Sequence, residues 1–378
     1  MSLSKSRFIE MFDLYKEKKL SEVAEIIMGQ SPDSNSYNNT EMGLPFYQGK
    51  TEFSDKYIGS PVTWCSSPCR IAEKNDILMS VRAPVGDVNI ATEKCCIGRG
   101  LASIRPLDGE STFLFYALKL KKAEIASKGN GSTFKAINKE TVHSITIPDV
   151  PQELKVKFSM FAEQIDKSKF LLQKILEKLE LLKKSRFIEM FGDPIKNEKR
   201  WPQLTLDSVC DGIGDGLHGT PEYDDLGAFY FINGNNLING TIVITPSTKK
   251  VNETTYKKYF TNISSNALLL SINGTLGKIA FYNDEAITLG KSACYINLKS
   301  FVNRYFVFEL MRTDPFLKYL EENSTKSTIK NVSLKTIRNF KLISPPEILQ
   351  NDFIAFSKQI DKSKLVIQKS LEDLVGKS

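Results

Sequence analysis

The feature that most constrains this chain is an internal repeat. The octet Lys5–Phe12 recurs letter for letter as Lys184–Phe191, and the hexapeptide Gln164–Lys169 recurs as Gln359–Lys364. Exact matches of this length do not arise by chance, and self-similarity at a fixed spacing indicates a duplicated architecture. The chain is therefore expected to fold as two copies of one unit.

Fainter similarity fills the interval between these anchors. The matching segments are Asp76–Gly86 with Ala267–Gly277, Gly98–Arg105 with Gly290–Asn297, and Ser132, Thr133 and Lys135 with Ser327, Thr328 and Lys330. The last set has the same offset as the two hexapeptides. The sequence thus predicts the order domain, spacer, domain, spacer.

The spacers have the pattern of long helices. No glycine or proline interrupts residues 152–191, and apolar residues recur there at the a and d positions of a heptad, which form the seam of a coiled coil. Prolines precede this stretch, and Gly192 and Pro194 follow it, as helix boundaries require. The expected seam residues are Phe158, Phe161, Ile165, Leu172, Ile175, Leu179 and Leu182 in the first spacer, and Phe353, Phe356, Ile360, Ile367 and Leu374 in the second.

We expect the two spacer helices to pair with each other. A helix of about 40 residues is roughly 60 Å long, which is more than a small domain needs. Antiparallel helices would put the two domains at opposite ends, related by a pseudo-two-fold axis, and the N-terminal octet would complete a circular repeat. The alternative is that each apolar stripe packs on its own domain, the commoner fate of amphipathic helices. The expected boundaries are 1–12 for the N-terminal helical piece, 13–150 for the first domain, 151–191 for the central helix, 192–344 for the second domain, and 345–378 for the C-terminal helix.

The two domains have a mixed pattern. Strand-like runs alternate with helix-like runs and with Gly, Asn and Pro turns. The predicted strands are Ile77–Val81, Cys95–Ile104, Phe229–Asn233, Ala267–Ile272 and Ala293–Leu298, and the predicted helices are Thr112–Ser127 and Asn303–Asn323. We predict two α+β domains separated by two long antiparallel helices that form a coiled coil.

Composition narrows the functional classes. The chain is 41% hydrophobic and 25% charged, and no apolar run approaches the roughly 20 residues of a membrane span. No secretory segment precedes the first domain, so we expect a cytoplasmic protein. Cys65, Cys69, Cys95 and Cys96 do not have zinc-ligand spacing, so reduced thiols and no metal are expected. The net charge of +7 permits a polyanionic partner without requiring one.

Three segments mimic catalytic motifs, and each has a simpler interpretation. Asp149 with Glu153 resembles a nuclease carboxylate pair but lies in a helix-start linker. The segment 344–347 has the paired prolines of amino-methyltransferases without the residues that hold the target amine. The glycine-rich 211–216 is not followed by a cofactor-binding helix, so a loop is expected there. The sequence therefore predicts no catalytic residue.

The chain resembles the specificity subunits of type I restriction-modification systems over essentially its whole length. The resemblance is carried by Gly131–Lys135 and Ile147–Pro151 before the first helix, and by Lys326–Lys330 and Ile343–Pro346 before the second. Lys326 departs from the motif, which has glycine at that position. The resemblance implies that each domain reads one half of a split double-stranded DNA sequence and that the helices set the gap.

The resemblance also implies partners. Two modification subunits and the restriction subunits would carry the chemistry together with S-adenosylmethionine, ATP and magnesium, so this chain would be non-catalytic and hold no cofactor. The alternatives are a duplicated-domain scaffold that grips proteins and, less consistent with the length and missing motifs, a fused methyltransferase.

Candidate DNA-contacting residues follow from side-chain chemistry. Arg and Lys match guanine edges, Asn and Gln match adenine edges, and Ser, Thr and Lys match phosphates. The candidates in the first domain are Gln48, Lys50, Arg70, Arg82, Arg99, Lys128, Ser132, Thr133 and Lys135, and those in the second are His218, Asn233, Asn235, Asn236, Asn273, Lys278, Lys291, Lys326, Thr328 and Lys330. Each could instead be a solvated surface residue, and Asn235 with Asn236 could simply shape a turn. The Ser-Thr-x-Lys residues could instead dock each domain on the helices.

Overall fold

A computed structural model describes residues 14–129, 136–259 and 262–375. The chain divides into two compact units, residues 1–172 with 370–378 and residues 173–369, called here the first and second units. The N-terminal octet and the candidates Ser132, Thr133 and Lys135 lie outside the described residues.

The first unit is built on a four-stranded antiparallel sheet. Its strands are β1 Glu17–Lys19, β2 Ala24–Met28, β3 Tyr37–Asn38, β4 Leu44–Tyr47, β5 Trp64–Cys65, β6 Ile71–Ala72, β7 Ile77–Ser80, β8 Val88–Ile90, β9 Cys95–Ile97, β10 Leu101–Pro106 and β11 Thr146–Pro148. The main sheet has the order β2-β10-β7-β8, a second sheet has the order β3-β5-β4-β9-β6, and β1 pairs with β11. Strand β4 runs parallel to β9, and the other pairs are antiparallel.

Strand β7 is apolar on both faces because both faces are covered. Successive side chains of a strand point to opposite sides. Ile77 and Met79 join the core under the helices, whereas Leu78 joins the core under the second sheet. All four residues of the strand are buried, which is why its sequence shows an apolar run instead of an alternating pattern.

The second unit repeats this plan. Its strands are β12 Gln203–Thr205, β13 Cys210–Asp215, β14 Phe229–Ile232, β15 Leu237–Ile238, β16 Thr241–Ile242, β17 Lys250–Val251, β18 Ala267–Ser271, β19 Ile279–Phe281, β20 Ile287–Leu289, β21 Ala293–Leu298 and β22 Lys341–Ile343. The main sheet has the order β13-β21-β18-β19, the equivalent of the first unit's main sheet. Strand β14 runs parallel to β20, as β4 does to β9. The prediction of two mixed domains is confirmed.

The short helices lie between and beside the strands. They are α1 Leu20–Val23, α2 Ser111–Leu120, α3 Lys122–Ser127 and α4 Lys139–His143 in the first unit, and α6 Glu253–Lys258, α7 Arg304–Leu310, α8 Asp314–Glu322 and α9 Leu334–Arg338 in the second. The long helices are α5 Gln152–Phe191 and α10 Glu347–Val375. No described helix is long and apolar enough to cross a membrane.

Four local predictions need correction. The predicted helix 303–323 is two helices, because Thr313 caps α8 through the Phe316 amide and proline follows at the helix start. The predicted helix 112–127 also divides, at Lys121, whose ammonium pairs with Glu17 of β1. The predicted strand 95–104 breaks into β9 and β10 between residues 98 and 100. The glycine-rich 211–216, predicted as a loop, belongs almost entirely to strand β13.

Both long helices pack into the domain cores. Phe158 of α5 makes edge contacts with Phe113 and Tyr116 at ring-centroid distances of 5.8 and 5.7 Å. Phe353 of α10 packs on Phe187 at 5.3 Å. Among the other expected seam residues Ile360 is buried, Ile175 and Leu182 are exposed, and the remainder are half-buried: Phe161, Ile165, Leu172, Leu179, Phe356, Ile367 and Leu374.

Ion pairs join α5 to α10 within the second unit. Lys183 Nζ lies 2.9 Å from Asp361 Oδ2, and Lys364 pairs with Glu180 one turn away. As the position on α5 falls from 183 to 180, the partner on α10 rises from 361 to 364, which is the order expected for antiparallel neighbours. The Lys183 side chain is only 2% exposed and also lies 2.6 Å from Glu309 of α7.

Candidate nucleic-acid interface

Strand ends from both sheets converge at one edge of the first unit. The amide of Gly98 donates to the Tyr47 carbonyl at 2.9 Å, joining the end of β9 to the end of β4. The Gln30 amide, just beyond β2, donates to the Ile97 carbonyl at 3.1 Å. These bonds bring the loops after β2, β4 and β9 to the same place.

Three predicted residues meet at this edge, and they define the first strand-end site: Gln48, Arg82 and Arg99. All three are exposed. The Gln48 amide exchanges hydrogen bonds with the Ser31 hydroxyl, at 3.0 Å from Nε2 and 3.2 Å to Oε1. Arg70 is also exposed and lies close by, since its carbonyl accepts from the Ile97 amide at 2.9 Å.

Glycine is required where β9 ends. A Cβ on Gly98 would lie 2.9 Å from Gln48 Cα, and a Cβ on Gly100 would lie 2.5 Å from the Gln48 carbonyl oxygen. Both distances are shorter than real Cβ contacts. The close approach of this turn to Gln48 both breaks the predicted strand and seats the glutamine side chain.

Lys50 and Lys128 are paired with acids. Lys50 Nζ is 2.5 Å from Asp87 Oδ2, and Lys122 pairs with the same carboxylate. Burial raises the pKa of Asp87, but the hydrogen bonds from Lys122 and Lys50 outweigh this effect and keep its pKa below the ordinary value. Lys128 pairs with Glu124 at 2.8 Å. Their charges are therefore largely compensated within the protein.

The second unit builds the same edge with the same backbone hydrogen bonds. The Gly290 amide donates to the Ile232 carbonyl at 2.8 Å, as Gly98 does to Tyr47. The Leu217 amide donates to the Leu289 carbonyl at 2.7 Å, as Gln30 does to Ile97. The second strand-end site therefore consists of Asn233, Asn273 and Lys291, which occupy the positions of Gln48, Arg82 and Arg99.

The equivalence extends to the segment before the long helices. The Val332 amide donates to the Ile272 carbonyl at 2.9 Å, and the Ile137 amide donates to Val81 at 3.0 Å. Isolated bridges join Asn273 to Asn331 and Arg82 to Ala136. The two sites thus have the same backbone arrangement but carry different side chains.

The Asn233 side chain is held in the same way as that of Gln48, by a serine hydroxyl. Its Oδ1 accepts from the Ser292 hydroxyl at 3.0 Å, and a Cβ on Gly290 would lie 2.3 Å from that oxygen. Asn236 has a structural role instead, because its side chain accepts from the Asn233 amide and donates to the Val243 carbonyl, each at 3.0 Å. Asn235 Oδ1 lies 3.4 Å from Lys278 Nζ, so these two predicted residues contact each other.

A polar cavity of about 280 Å³ opens beside the second strand-end site. Its lining includes Asp215, His218, Asn273, Lys291 and Asn331. His218 Nε2 lies 2.6 Å from Asp215 Oδ2. Sequence reasoning missed Asp215 because it assigned the segment to a loop, and only the pairing of β13 with β21 shows that this residue ends a strand beside the cavity.

The Lys326–Lys330 segment lies next to this cavity. The Lys330 carbonyl accepts from the Gly274 amide at 2.9 Å, and Lys330 Nζ lies 3.2 Å from Glu321. Lys326 and Thr328 are exposed. The segment therefore supports the Asn273 turn through its backbone and presents polar side chains to solvent.

Most of the cysteines are packed in the protein interior. Cys69 is exposed and the other five are buried. Burial raises the pKa of Cys95 to about 12 and that of Cys96 to about 11, which favours neutral thiols. Within the residues that the structure describes, no group of three or more His, Cys, Asp or Glu side chains could hold a metal ion.

The protein thus consists of a duplicated mixed domain that repeats one polar strand-end site with different side chains. The chain belongs to the family of type I restriction modification DNA specificity domains, whose family model matches residues 13–181 and 199–374. This membership confirms the resemblance seen in the sequence.

Two relatives from Methanocaldococcus jannaschii are similar to this chain. One, described as a type I restriction enzyme MjaX specificity subunit, is 44% identical over 177 residues, covering 46% of this chain and 40% of that protein. The chain thus spans less than half the length of this relative. The other, the MjaIX specificity subunit, is 24% identical over 94% of this chain and 90% of its own length.

A solved structure shares the fold. The type I restriction-modification system S subunit from M. genitalium covers 96% of this chain and 93% of its own, with a TM-score of 0.57 at 14% sequence identity. At this identity the likeness concerns the fold alone.

Proposed function

We propose that this chain reads DNA sequence for a type I restriction-modification complex, with each strand-end site contacting one half of a bipartite duplex site. The observation that carries the proposal is the duplication of one site frame with different side chains. Two unlike reading sites on one chain suit a target whose two halves differ in sequence.

The side chains at the two sites have the chemistry for base readout. Arg82 and Arg99 can donate to guanine O6 and N7, and Gln48 can bond adenine N6 and N7. Asn233 and Asn273 offer amides suited to adenine in the second half-site. Lysines and hydroxyls around the sites, including Lys291, Lys326 and Thr328, suit phosphate contacts, which fix position more than sequence.

The long helices act as a ruler in this proposal. Residues 13–150 and 192–344 are the recognition domains, and 151–191, 345–378 and the N-terminal 1–12 form the antiparallel coiled coil of a circular repeat. The uninterrupted forty residues of α5 and the antiparallel order of the ion pairs with α10 support it. Inserting four residues in both helices adds roughly 6 Å, or about two base pairs at roughly 3.4 Å per step. The preferred gap should lengthen by that amount, and an unchanged gap would refute the ruler.

The proposal includes partners. Two modification subunits and the restriction subunits supply methylation and cleavage, and S-adenosylmethionine, ATP and magnesium belong to them. The specificity-subunit names of both Methanocaldococcus relatives support an assembly of this kind. A subunit that acts on chromosomal DNA would work in the cytoplasm.

Domain exchange tests the assignment of half-sites. Replacing residues 13–150 with another recognition domain should change one half-site and leave the other intact. Affinity for duplex DNA should also fall steeply with salt, because bound cationic groups release counterions from the phosphates. The competing function, a scaffold for proteins, predicts no salt-sensitive duplex binding and no half-site change.

A further inference from the structure

The cavity beside the second strand-end site contains a carboxylate that has no equivalent at the first site. Asp215, the last residue of β13, lines the cavity of about 280 Å³ together with Lys291 and two asparagines. A carboxylate at a surface facing a polyanion is repelled by the phosphates, and its oxygens can only accept hydrogen bonds. A carboxylate at this place is suited to a hydrogen-bond donor on the bound nucleic acid.

The registers of the main sheets identify the equivalent position in the first unit. Asp215 pairs with Cys294 of β21, and Met28 pairs with Ala102 of β10. Because the Gly98 and Gly290 turns are equivalent, Met28 occupies the position of Asp215. The first strand-end site therefore has arginines and an amide, whereas the second has amides and a lysine with the Asp215 carboxylate in the cavity beside them.

One oxygen of Asp215 is already engaged. Its Oδ2 lies 2.6 Å from His218 Nε2, and the carboxylate side chain is 24% exposed. Within the described part of the chain, no other side chain is within hydrogen-bond distance of the carboxylate. That leaves Oδ1 to accept a hydrogen bond from a bound base.

We propose that Asp215 is a specificity-determining acceptor that reads an exocyclic amino group, adenine N6 or cytosine N4, in the half-site bound by the second unit. Both groups are major-groove donors, and carboxylates are natural acceptors for them. The first strand-end site, with Arg82 and Arg99, instead selects bases that present acceptors, such as guanine. This inference rests on the proposed function and adds which chemical class of base each half-site contains.

The test is selection of bound sequences from a library of random duplexes by the full chain assembled with its modification subunits. The variant Asp215→Ala should lose about tenfold or more of the preference for an amino-bearing base at one position of one half-site, the scale of a lost base contact. The other half-site should be unchanged. Whether the wild-type base is adenine or cytosine identifies the amino group.

Asp211→Ala is the matched control, because it removes the same charge from an exposed position of the same strand. It should leave the selected sequence unchanged. A second variant, Asp215→Asn, keeps the size of the side chain and one carbonyl acceptor, so it should retain part of the preference that Asp215→Ala loses. A loss in Asp211→Ala equal to that in Asp215→Ala would show a general effect of charge, and that would overturn the inference.

The possible outcomes distinguish a failure of this inference from a failure of the proposed function. Wild-type preferences in Asp215→Ala, with only stronger binding to all DNA, would refute base reading by Asp215 while leaving DNA specificity intact. A wild-type assembly that selects no sequence would refute the proposed function and the inference with it.

Discussion

Replacing Lys183 with methionine should destabilise the second unit by about 3 kcal/mol. The ammonium is 2% exposed and lies 2.6 Å from Glu309 Oε1 and 2.9 Å from Asp361 Oδ2. Methionine keeps the length of the side chain but leaves Glu309, only 10% exposed, without its closest cation. Breaking a buried pair from one side costs roughly 3–5 kcal/mol. Arg312, 3.4 Å from Glu309, compensates in part and places the cost at the lower end.

Calorimetry of the full chain measures this cost. For a unit of this size, about 3 kcal/mol lowers the melting temperature by roughly 6–12 °C. Lys184→Met is the matched control, because the neighbouring lysine pairs with Asp314 at the surface, where ion pairs contribute at most about 1 kcal/mol. Adding Glu309→Gln to Lys183→Met should restore part of the loss. If Lys183→Met melts like the Lys184 control, the buried pair does not stabilise the junction between α5, α7 and α10.

Three further predictions follow from local geometry. Gly290→Ala should displace the Asn233 side-chain amide, because its oxygen lies 2.3 Å from the position of the new methyl group. Discrimination between bases in the second half-site should then fall by about tenfold. Unchanged discrimination, measured by binding of matched and mismatched duplexes, would argue against a base contact by Asn233. Thiol titration of the native chain should find one rapidly reacting cysteine, the exposed Cys69, and a second fast thiol would contradict the described burial. Burial alone raises the pKa of Glu180. The hydrogen bond from Lys364 and the nearby cations have the larger, opposite effect, so the pKa lies below its ordinary value. A carboxylate with a lowered pKa stabilises the fold at pH values above its ordinary pKa of 4.5, and this contribution is lost as the pH falls below that value. Between pH 7 and pH 3, Glu180→Gln should therefore lose less unfolding free energy than the wild type. An equal loss in the two proteins would exclude this contribution.

The repeat and the long helix could be predicted because their signals are local or exact. Repeated octets need no structural knowledge, and the range 152–191 is bounded by prolines and glycine that act on neighbouring residues. The prediction of secondary structure was wrong where contacts between residues far apart in the sequence determine the structure. The turn at Gly98 is set by the backbone of Gln48, some fifty residues away in sequence, and propensity carries no information about such an approach.

The candidate sites were partly predictable for the same reason. Side-chain chemistry alone selected Gln48, Arg99 and Asn233, which the fold brings to equivalent edges. It also selected Lys50, whose charge is met by Asp87 across 37 positions of sequence. It missed Asp215, since only the pairing of β13 with β21 shows that this residue ends a strand beside the cavity.

If this chain reads a split DNA sequence, its co-expression with the modification subunit should alter the methylation of the host DNA, which sequencing of methylated bases detects. The expected result is a new methylated motif of two specific halves separated by a fixed, unread gap. No new methylation despite a stable complex, or a motif without a gap, would contradict it.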